Sequence, residues 1–532
     1  MIGRKKTVFS LFALVLVLIL FLSACSTQSS KLPSSSKVPS SSAQSSGDKE
    51  EAKIDTSKPE DLIMWMVSGS PPPDQNKVMK KVNEILKEKL NVTLTVHQLA
   101  FDSEMQTKYR LLLSGGEQVD IIQGSNRFFN SYVGTGAYQV LNDYLPIYAP
   151  DIWEQQSEYA WKEASYKGKI YAIPSLLKMY NPYGVIYRKD LQVKYNVKPV
   201  TDFVTLEEYL DAVLKNDPDM LPFNICGDEY DYLLRMMRAY CGWDTVNMLQ
   251  PVAYVDDSQE DITKVFNFTE TDQFVDYCKL MKSWKDKGYW SRSALSASVW
   301  SRDNVQEDLS SAGIDLIGNL SGTSMCTRIP KNVEGAELDI FDWPSYRKVF
   351  HFDDTMGDAS AFPINGIDLP RALMVHNALM TDKELYMLTQ FGFEGEHYIN
   401  DNGNYIMPEG LTIENHPYSE GALGLWPLRN SKYHLMLAPI WTGAEELWKK
   451  YDGMATENKL SYFIFDATPV QNQIAAVEEV NVRYLRPLLL GMMDDVDSSV
   501  AEYRSALKKA DADAIFDEVK RQITVYAQEQ GF

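Results

Sequence analysis

Apolar residues gather in short blocks along most of this chain, and the spacing within each block predicts the element it builds. Leu62–Val67 is an unbroken apolar run of strand length, the pattern of a parallel strand covered on both faces. Behind Asp74, a residue suited to capping a helix, Val78, Val82, Ile85 and Leu86 recur at helical spacing. Val92–Val96 predicts a second strand, and Met105, Tyr109 and Leu112 a helix that closes at Gly115-Gly116. Val119–Ile122 follows as a third strand. This alternation implies a parallel sheet with right-handed crossovers. Downstream, Thr205 and Glu208 predict a capping box ahead of Leu206, Tyr209, Leu210, Val213 and Leu214. Phe274, Tyr277, Cys278, Met281 and Trp284 mark a helix ended by Gly288, and the stretch from Ser498 to about Gln528 is helical again.

The first 57 residues follow other rules. Arg4, Lys5 and Lys6 precede the apolar stretch Val8–Leu22 and the small residues Ser23 and Ala24, the layout of a secretory signal peptide. That stretch is short for a membrane span, which needs about 20 residues. Leu22-Ser23-Ala24-Cys25 resembles the bacterial lipobox, in which the cysteine is lipidated and becomes the new N-terminus; the alternative is an ordinary cleaved leader with a chance cysteine. From Ser26 to Gly47, eleven of twenty-two residues are Ser and none is aromatic, too little apolar surface to offset chain entropy. A disordered tether over 25–57 is therefore expected, with the folded body starting near Lys58.

Composition narrows the function. At 532 residues, 45% hydrophobic and 23% charged, the chain is globular in class and its core is ample for two lobes. Its 52 basic against 73 acidic residues give a net charge of −21, so nucleic acid is not expected as a partner. The six histidines hold no pair at zinc-protease spacing. His351 with Asp353 and Asp354 could ligate a metal, but adjacent carboxylates in a polar loop are usually solvated; no metal and no cofactor is expected. Asp511 and Asp513 lack the glycine of a calcium loop and read as a charged helix face. No Walker A motif or Gly-x-Ser-x-Gly elbow occurs. Glycoside hydrolysis stays open, since it needs only two carboxylates at a set separation. Besides Cys25, Cys226, Cys241, Cys278 and Cys326 remain; Cys226 and Cys241 are the nearest couple, and Cys278 reads as a buried thiol on a helix face. Tyr (30) outnumbers Phe (21), with 11 Trp, and rings with a polar edge suit amphipathic ligands such as sugars.

Several segments in order resemble extracellular solute-binding protein family 1, the sugar-binding components of bacterial ABC importers. They are Val119–Ile122 with Gln123–Arg127, Leu141–Leu145, Gly168–Pro174, Tyr187–Leu191, Thr205–Tyr209, Ser311–Leu316 and Phe391–Tyr398. The family's large lipoprotein branch often carries a calcium loop after the Thr-Leu-Glu-Glu helix. Asn216–Pro222 lacks its glycines and acidic pair, so calcium is not carried over.

The resemblance implies an α/β fold of two lobes, periplasmic-binding-protein-like, with mostly parallel sheets flanked by helices and a ligand cleft between them. The expected division is a leader over 1–24, lobe 1 from 58–178 and 345–405, and lobe 2 from 179–344 and 406–532. Crossovers are expected near Met179–Gly184, Ile340–Ser345 and 400–415. Matched segments imply ligand contacts at Ser68, Ser70, Ser125, Asn126, Arg127, Tyr180, Asn181, Tyr183, Ser321 and Thr323. Trp243, Trp343 and Trp426 join them from Gly/Pro-rich loop sequence, whereas Trp284 and Trp448 read as core. The implied protein is a monomer, held at the outer face of the membrane by lipidated Cys25. It catalyses nothing and delivers an oligosaccharide to permease subunits. A surface enzyme acting on glycans, and a binder of peptides or another polar solute, are the alternatives.

Overall fold

A computed structural model of the chain describes residues 55–101, 104–177, 180, 182–246, 252–322, 325, 329, 332–351, 355–412, 415–438 and 441–532. The leader, Cys25 and the Ser-rich tether to residue 54 lie outside them. Eight strands carry the two main sheets: β1 (Glu60–Ser68), β2 (Val92–Ala100), β3 (Ile121–Gln123), β4 (Ala172–Pro174), β5 (Tyr183–Arg188), β6 (Ala312–Leu316), β7 (Leu338–Asp342) and β8 (Ala359–Ala361). Sheet one runs β2-β1-β3-β8-β4 and sheet two β6-β5-β7.

In sheet one, β1 is the apolar run of the sequence, flanked in parallel by β2 (Glu60↔Val92 to Ser68↔Ala100) and β3 (Met64↔Ile121). β8 arrives from the second lobe and pairs antiparallel with β3 and β4. The helix Gln75–Leu90 buries Val78, Val82, Ile85 and Leu86, as its spacing predicts, and ends at Asn91 in the left-handed region (φ 53°). In sheet two, β5 is antiparallel to both neighbours. The parallel expectation holds around β1 and not here, because β5 enters directly from an interlobe crossover instead of closing a strand–helix–strand unit. The helix expected at Thr205 begins at Phe203. Asp202 is its cap, accepting from Thr205 N–H, while the Thr205 side chain returns to the Asp202 backbone. Helix Asp272–Lys287 buries Phe274, Tyr277, Cys278, Met281 and Trp284 and ends at Gly288 (φ 92°).

The buried side chains fall into a few cores. One surrounds sheet one and takes in Tyr418, Leu423, Leu425 and Leu428. A second surrounds sheet two and the C-terminal helices Val496–Lys509 and Ala512–Gln530. A third, with Tyr180, Ile186, Phe350 and Tyr451, lies where the chain passes between them. Residues 418–428 thus pack with the first lobe and not, as expected from 406 onward, with the second. The short helix Trp343–Arg347 follows β7, capped by Asp342. Ile399–Asp401, Asn404–Ile406 and Met436–Leu437 form a small three-stranded sheet, and Tyr386, Phe391, Tyr398, Tyr405 and Leu435 make an apolar cluster of their own. Cys226, Cys241 and Cys278 are free thiols, so the Cys226–Cys241 couple is not a disulfide here; Cys278 is buried. Among the described residues, no helix is long and apolar enough to cross a membrane.

Candidate functional site

In sheet two, Leu316 at the end of β6 lies opposite Tyr183, and Asp342 at the end of β7 opposite Gly184. The residues leaving β6 and β7 therefore share one edge with the start of β5. A row of aromatic rings runs along it. Tyr183 stacks on Trp343 (centroids 6.3 Å, planes 15° apart) and meets Tyr232 edge-on at 5.0 Å. Tyr232 meets Trp300 edge-on at 4.9 Å. Two guanidinium groups flank the row: Arg235 lies 4.3 Å from the Tyr183 centroid and Arg302 4.8 Å from that of Trp300, both within cation–π range. Arg302 is held by Asp315 (3.3 Å) and Arg235 by Asp231 (2.9 Å).

A cavity of about 280 Å³ opens beside Tyr183, Trp243 and Trp343. Arg347 Nε–H donates to Asp257 at its wall (2.7 Å), and buried Trp343 Nε1 has no hydrogen-bond acceptor among the described residues. His351 also lines it. Its Nε2–H donates to the Asp257 carbonyl (2.7 Å) and Nδ1 meets the Thr456 hydroxyl (3.0 Å), which occupies both nitrogens a metal would need. Asp353 and Asp354 lie outside the described residues.

The other face lies at the edge of sheet one where β1, β2 and β3 all end. Ser68 is buried, and its hydroxyl donates to the Ala422 carbonyl (3.1 Å), tying the loop before Trp426 to the end of β1. Gly424 sits there with φ +68°, so close that a Cβ would stand 2.3 Å from the Val67 oxygen. Ser70 is exposed, Ser125 and Asn126 are half-buried at the head of the helix Asn126–Tyr132, and Arg127 is exposed. Trp426 is half-buried and stacks on the exposed ring of Phe101 (5.8 Å, 27°).

Behind these groups lie Asp358, Glu420, Arg429 and His434. Burial alone would raise Glu420, but its ion pair with Arg429 holds the carboxyl below its usual value. Asp358 is pushed up by burial, and burial lowers His434 to about 4, leaving it neutral near pH 7.

The structure brings Tyr183, Trp243 and Trp343 together, and gathers Ser68, Ser70, Ser125, Asn126 and Trp426 at the edge of sheet one. Trp243 is mostly core, wedged against Tyr254 and Phe266. Tyr180 departs from the expected role. Its ring is buried edge-on to Phe350 (5.3 Å) and Tyr451 (6.0 Å), and its hydroxyl donates to Asp452 (2.5 Å), so no ring face is left for a ligand. Asn181 and Thr323 lie outside the described residues; Ser321 lies on the helix Ile317–Gly322 that follows β6. Phe101, Tyr232, Arg235, Trp300 and the group Asp358, Glu420, Arg429 and His434 were not singled out from sequence. Tyr232 and Arg235 offered one signal, a polar-edged ring three residues before a cation on a single helix. Among the described residues, one group has metal-ligand spacing, Asp74, Glu396 and His397. Lys77 ion-pairs with both of its carboxylates and supplies the positive charge a cation would bring.

Residues 80–344 match the family of bacterial extracellular solute-binding proteins, and residues 459–528 a domain family of unknown function. A carbohydrate ABC transporter substrate-binding protein of Streptococcus pneumoniae is 23% identical over 492 residues, covering 90% of this chain and 92% of that protein. The solved N-glycan transport solute binding protein of Streptococcus pneumoniae superposes with TM-score 0.72 at 20% identity, covering 89% of this chain and all of the other. The alginate-binding protein AlgQ2 does so with TM-score 0.61 at 18% identity, covering 89% and 99%. The fold is that of the two-lobe solute-binding proteins.

Proposed function

We propose that this chain, whose residues 80–344 match the bacterial extracellular solute-binding proteins, captures an oligosaccharide between its two lobes and delivers it unaltered to the permease subunits of an ABC importer. The observation that carries this reading is the pair of faces at the two sheet edges. One offers the half-buried rings of Tyr183 and Trp300, backed by the buried Trp343 and Tyr232 and flanked by their arginines. The other offers Ser70, Ser125, Asn126 and the Phe101–Trp426 stack. Sugar rings present C–H faces to aromatic rings and hydroxyls to polar side chains, so a surface of this mixed kind suits them. A ligand that touches both faces stabilises only the closed arrangement and thereby favours it. The likeness to carbohydrate-binding relatives across about nine-tenths of the chain supports the same substrate class.

The division that fits the cores is 55–177 with 355–438 for the first lobe and 180–351 with 441–532 for the second. Lipidation of Cys25 completes the proposal: it leaves the tether as a leash to the outer face of the membrane, and two acyl chains suffice for stable anchoring. Mass spectrometry of the processed N-terminal peptide checks it. A diacylglyceryl group on Cys25 is expected, and an unmodified cleaved terminus elsewhere would refute the anchor.

Thermal melting against a panel of oligosaccharides tests the function. A ligand at 100 times its Kd adds about 2.7 kcal/mol of stability, and chromatography of the recovered sugar should show it unchanged. A shortened or modified product would make the protein an enzyme.

A further inference from the structure

A cavity of about 800 Å³ lies apart from both faces, and none of their residues lines it. One wall belongs to the first lobe: the helix Glu158–Glu163 and the hairpin of residues 165–170. Ala172, the first residue of β4, is level through Ala361 with Ile122, so the hairpin before it lies back from the edge that carries Ser125. The other wall is the loop 462–466 with the helix Ala512–Gln530. Almost all of this wall falls within residues 459–528, which match the domain family of unknown function.

Hydrogen bonds fix the shape of both walls. Asp466 N–H donates to Gln522 Oε1, and the Gln522 amide returns to the Asp466 carbonyl (2.8 Å each). The Tyr526 hydroxyl donates to the Lys459 carbonyl (2.7 Å), which ties the helix to the start of the loop. In the first lobe, Ile170 N–H donates to Asn142 Oδ1 (2.8 Å). Across the seam, the hydroxyls of Tyr159 and Ser461 stand 2.9 Å apart, and the Tyr159 ring meets Tyr462 edge-on at 5.6 Å. A ligand therefore meets walls already in place, which lowers the ordering cost of binding.

The lining mixes aromatic faces with paired charges. Trp161, Tyr166 and Tyr462 contribute half-buried rings, and Tyr526 a buried one. The Trp161 ring adjoins that of Trp153 (centroids 5.4 Å), which keeps 39% exposure, so the aromatic surface runs out of the cavity to solvent. Around the rings, exposed Lys162, Lys167 and Arg521 are matched by exposed Glu158, Asp466 and Glu529. Three cations and three carboxylates supply donors and acceptors alike and leave the cavity without net charge, in a chain that carries −21. Sugar C–H faces stack on such rings while hydroxyls bond to both kinds of polar group; an ion or a purely apolar molecule uses half of what is offered. The volume also falls in the range of about 300–1,000 Å³ usual for ligand pockets. We propose that this seam is a second saccharide site, independent of the cleft, which holds an uncharged oligosaccharide against Trp161 and Tyr462.

Titration calorimetry of the whole protein with manno-, gluco- and fructo-tetrasaccharides counts the sites. At least one of these probes should occupy two sites per chain. Trp161→Ala should weaken one site at least about tenfold, because it removes the largest ring of the cavity, and leave the other unchanged. Tyr183→Ala, at the edge of sheet two, should do the reverse. Tyr462→Ala repeats the seam test, and Arg521→Ala, at an exposed position, serves should neither ring variant fold. If no site responds to the seam variants, the second site is overturned, while a loss of binding in Tyr183→Ala keeps the cleft. A single site that responds to both sets of variants denies their independence and overturns the proposal as well. A single site that responds to the seam variants alone upholds the seam and overturns the cleft reading. Binding of no probe overturns both.

Discussion

Tyr180 has its ring edge-on to Phe350 and Tyr451 and its hydroxyl on Asp452, while Tyr183 is half-buried between Trp343 and the Arg235 guanidinium at the edge of a cavity. Alanine at the two positions should therefore act differently. Tyr180→Ala removes a plug from the core where the lobes meet and should lower stability by about 3–5 kcal/mol. Tyr183→Ala should weaken sugar binding by about 1–3 kcal/mol, the worth of a good aromatic or polar contact, with a smaller loss of stability. Unliganded melting and calorimetry on both variants check this, and a large stability loss with unchanged affinity for Tyr183→Ala would remove it from the site. The sequence context separated these rings only in part. Trp343 and Tyr183 stood out because they flank Pro and Gly outside any apolar helix face. Tyr180 shares that context, and only the third core, assembled from residues hundreds of positions apart, claims it. Trp300 and Tyr232 escaped notice because nothing local distinguishes a half-buried ring at a sheet edge, such as Trp300, from a ring in the core, such as Tyr232.

Elements with strong periodicity were legible almost to the residue. The strand expected at Leu62–Val67 is Glu60–Ser68, and the helix read from Phe274 to Gly288 runs Asp272–Lys287. Apolar burial dictates both, and burial is what hydrophobic spacing records. Elements chosen by tertiary contact were not. β8 is Ala359-Ser360-Ala361, three small residues without β-branching. It is a strand because β3 and β4 leave a slot between them that backbone hydrogen bonds must fill. The helical stretch near the C-terminus is two helices, broken where Asp511 adopts φ 60°. Helix propensity alone carries straight through Ala510-Asp511-Ala512, whereas packing both helices against the second core requires a turn. The polar groups at the edge of sheet one followed the same logic. Asp358, Glu420 and Arg429 sit in separate loops and read individually as solvated charges, until the edge of sheet one draws them together.

At the scale of the whole molecule, buried titratable groups set how stability responds to pH. Burial raises the Glu229 carboxyl from 4.5 to about 7, overcoming the pull of hydrogen bonds from Ser301 and from the Cys226 N–H. The folded chain then holds this proton at pH values where the unfolded chain has released it. Its contribution is complete below pH 4.5 and is lost as pH rises through about 7. His376 behaves oppositely: burial lowers it from 6.5 to about 3, and neither ring nitrogen has a partner among the described residues. Its contribution is complete above pH 6.5 and is lost as pH falls toward 3. Between pH 4.5 and 6.5 the two slopes oppose each other, which flattens the profile of the intact protein and hides both groups. Substitution exposes them. Glu229→Gln carries a fixed penalty, because its amide meets donors that the carboxylate accepted, but it has no proton to lose. Relative to this variant, the intact protein should lose about 3 kcal/mol as pH rises from 4.5 to 7, at roughly 1.4 kcal/mol per pH unit. His376→Gln should conversely remove the weakening seen on acidification. Denaturant unfolding of the three proteins across this window measures both differences. Parallel curves for the intact protein and Glu229→Gln would mean that the carboxyl is ionised in the folded chain throughout, held by its three donors against the cost of burial.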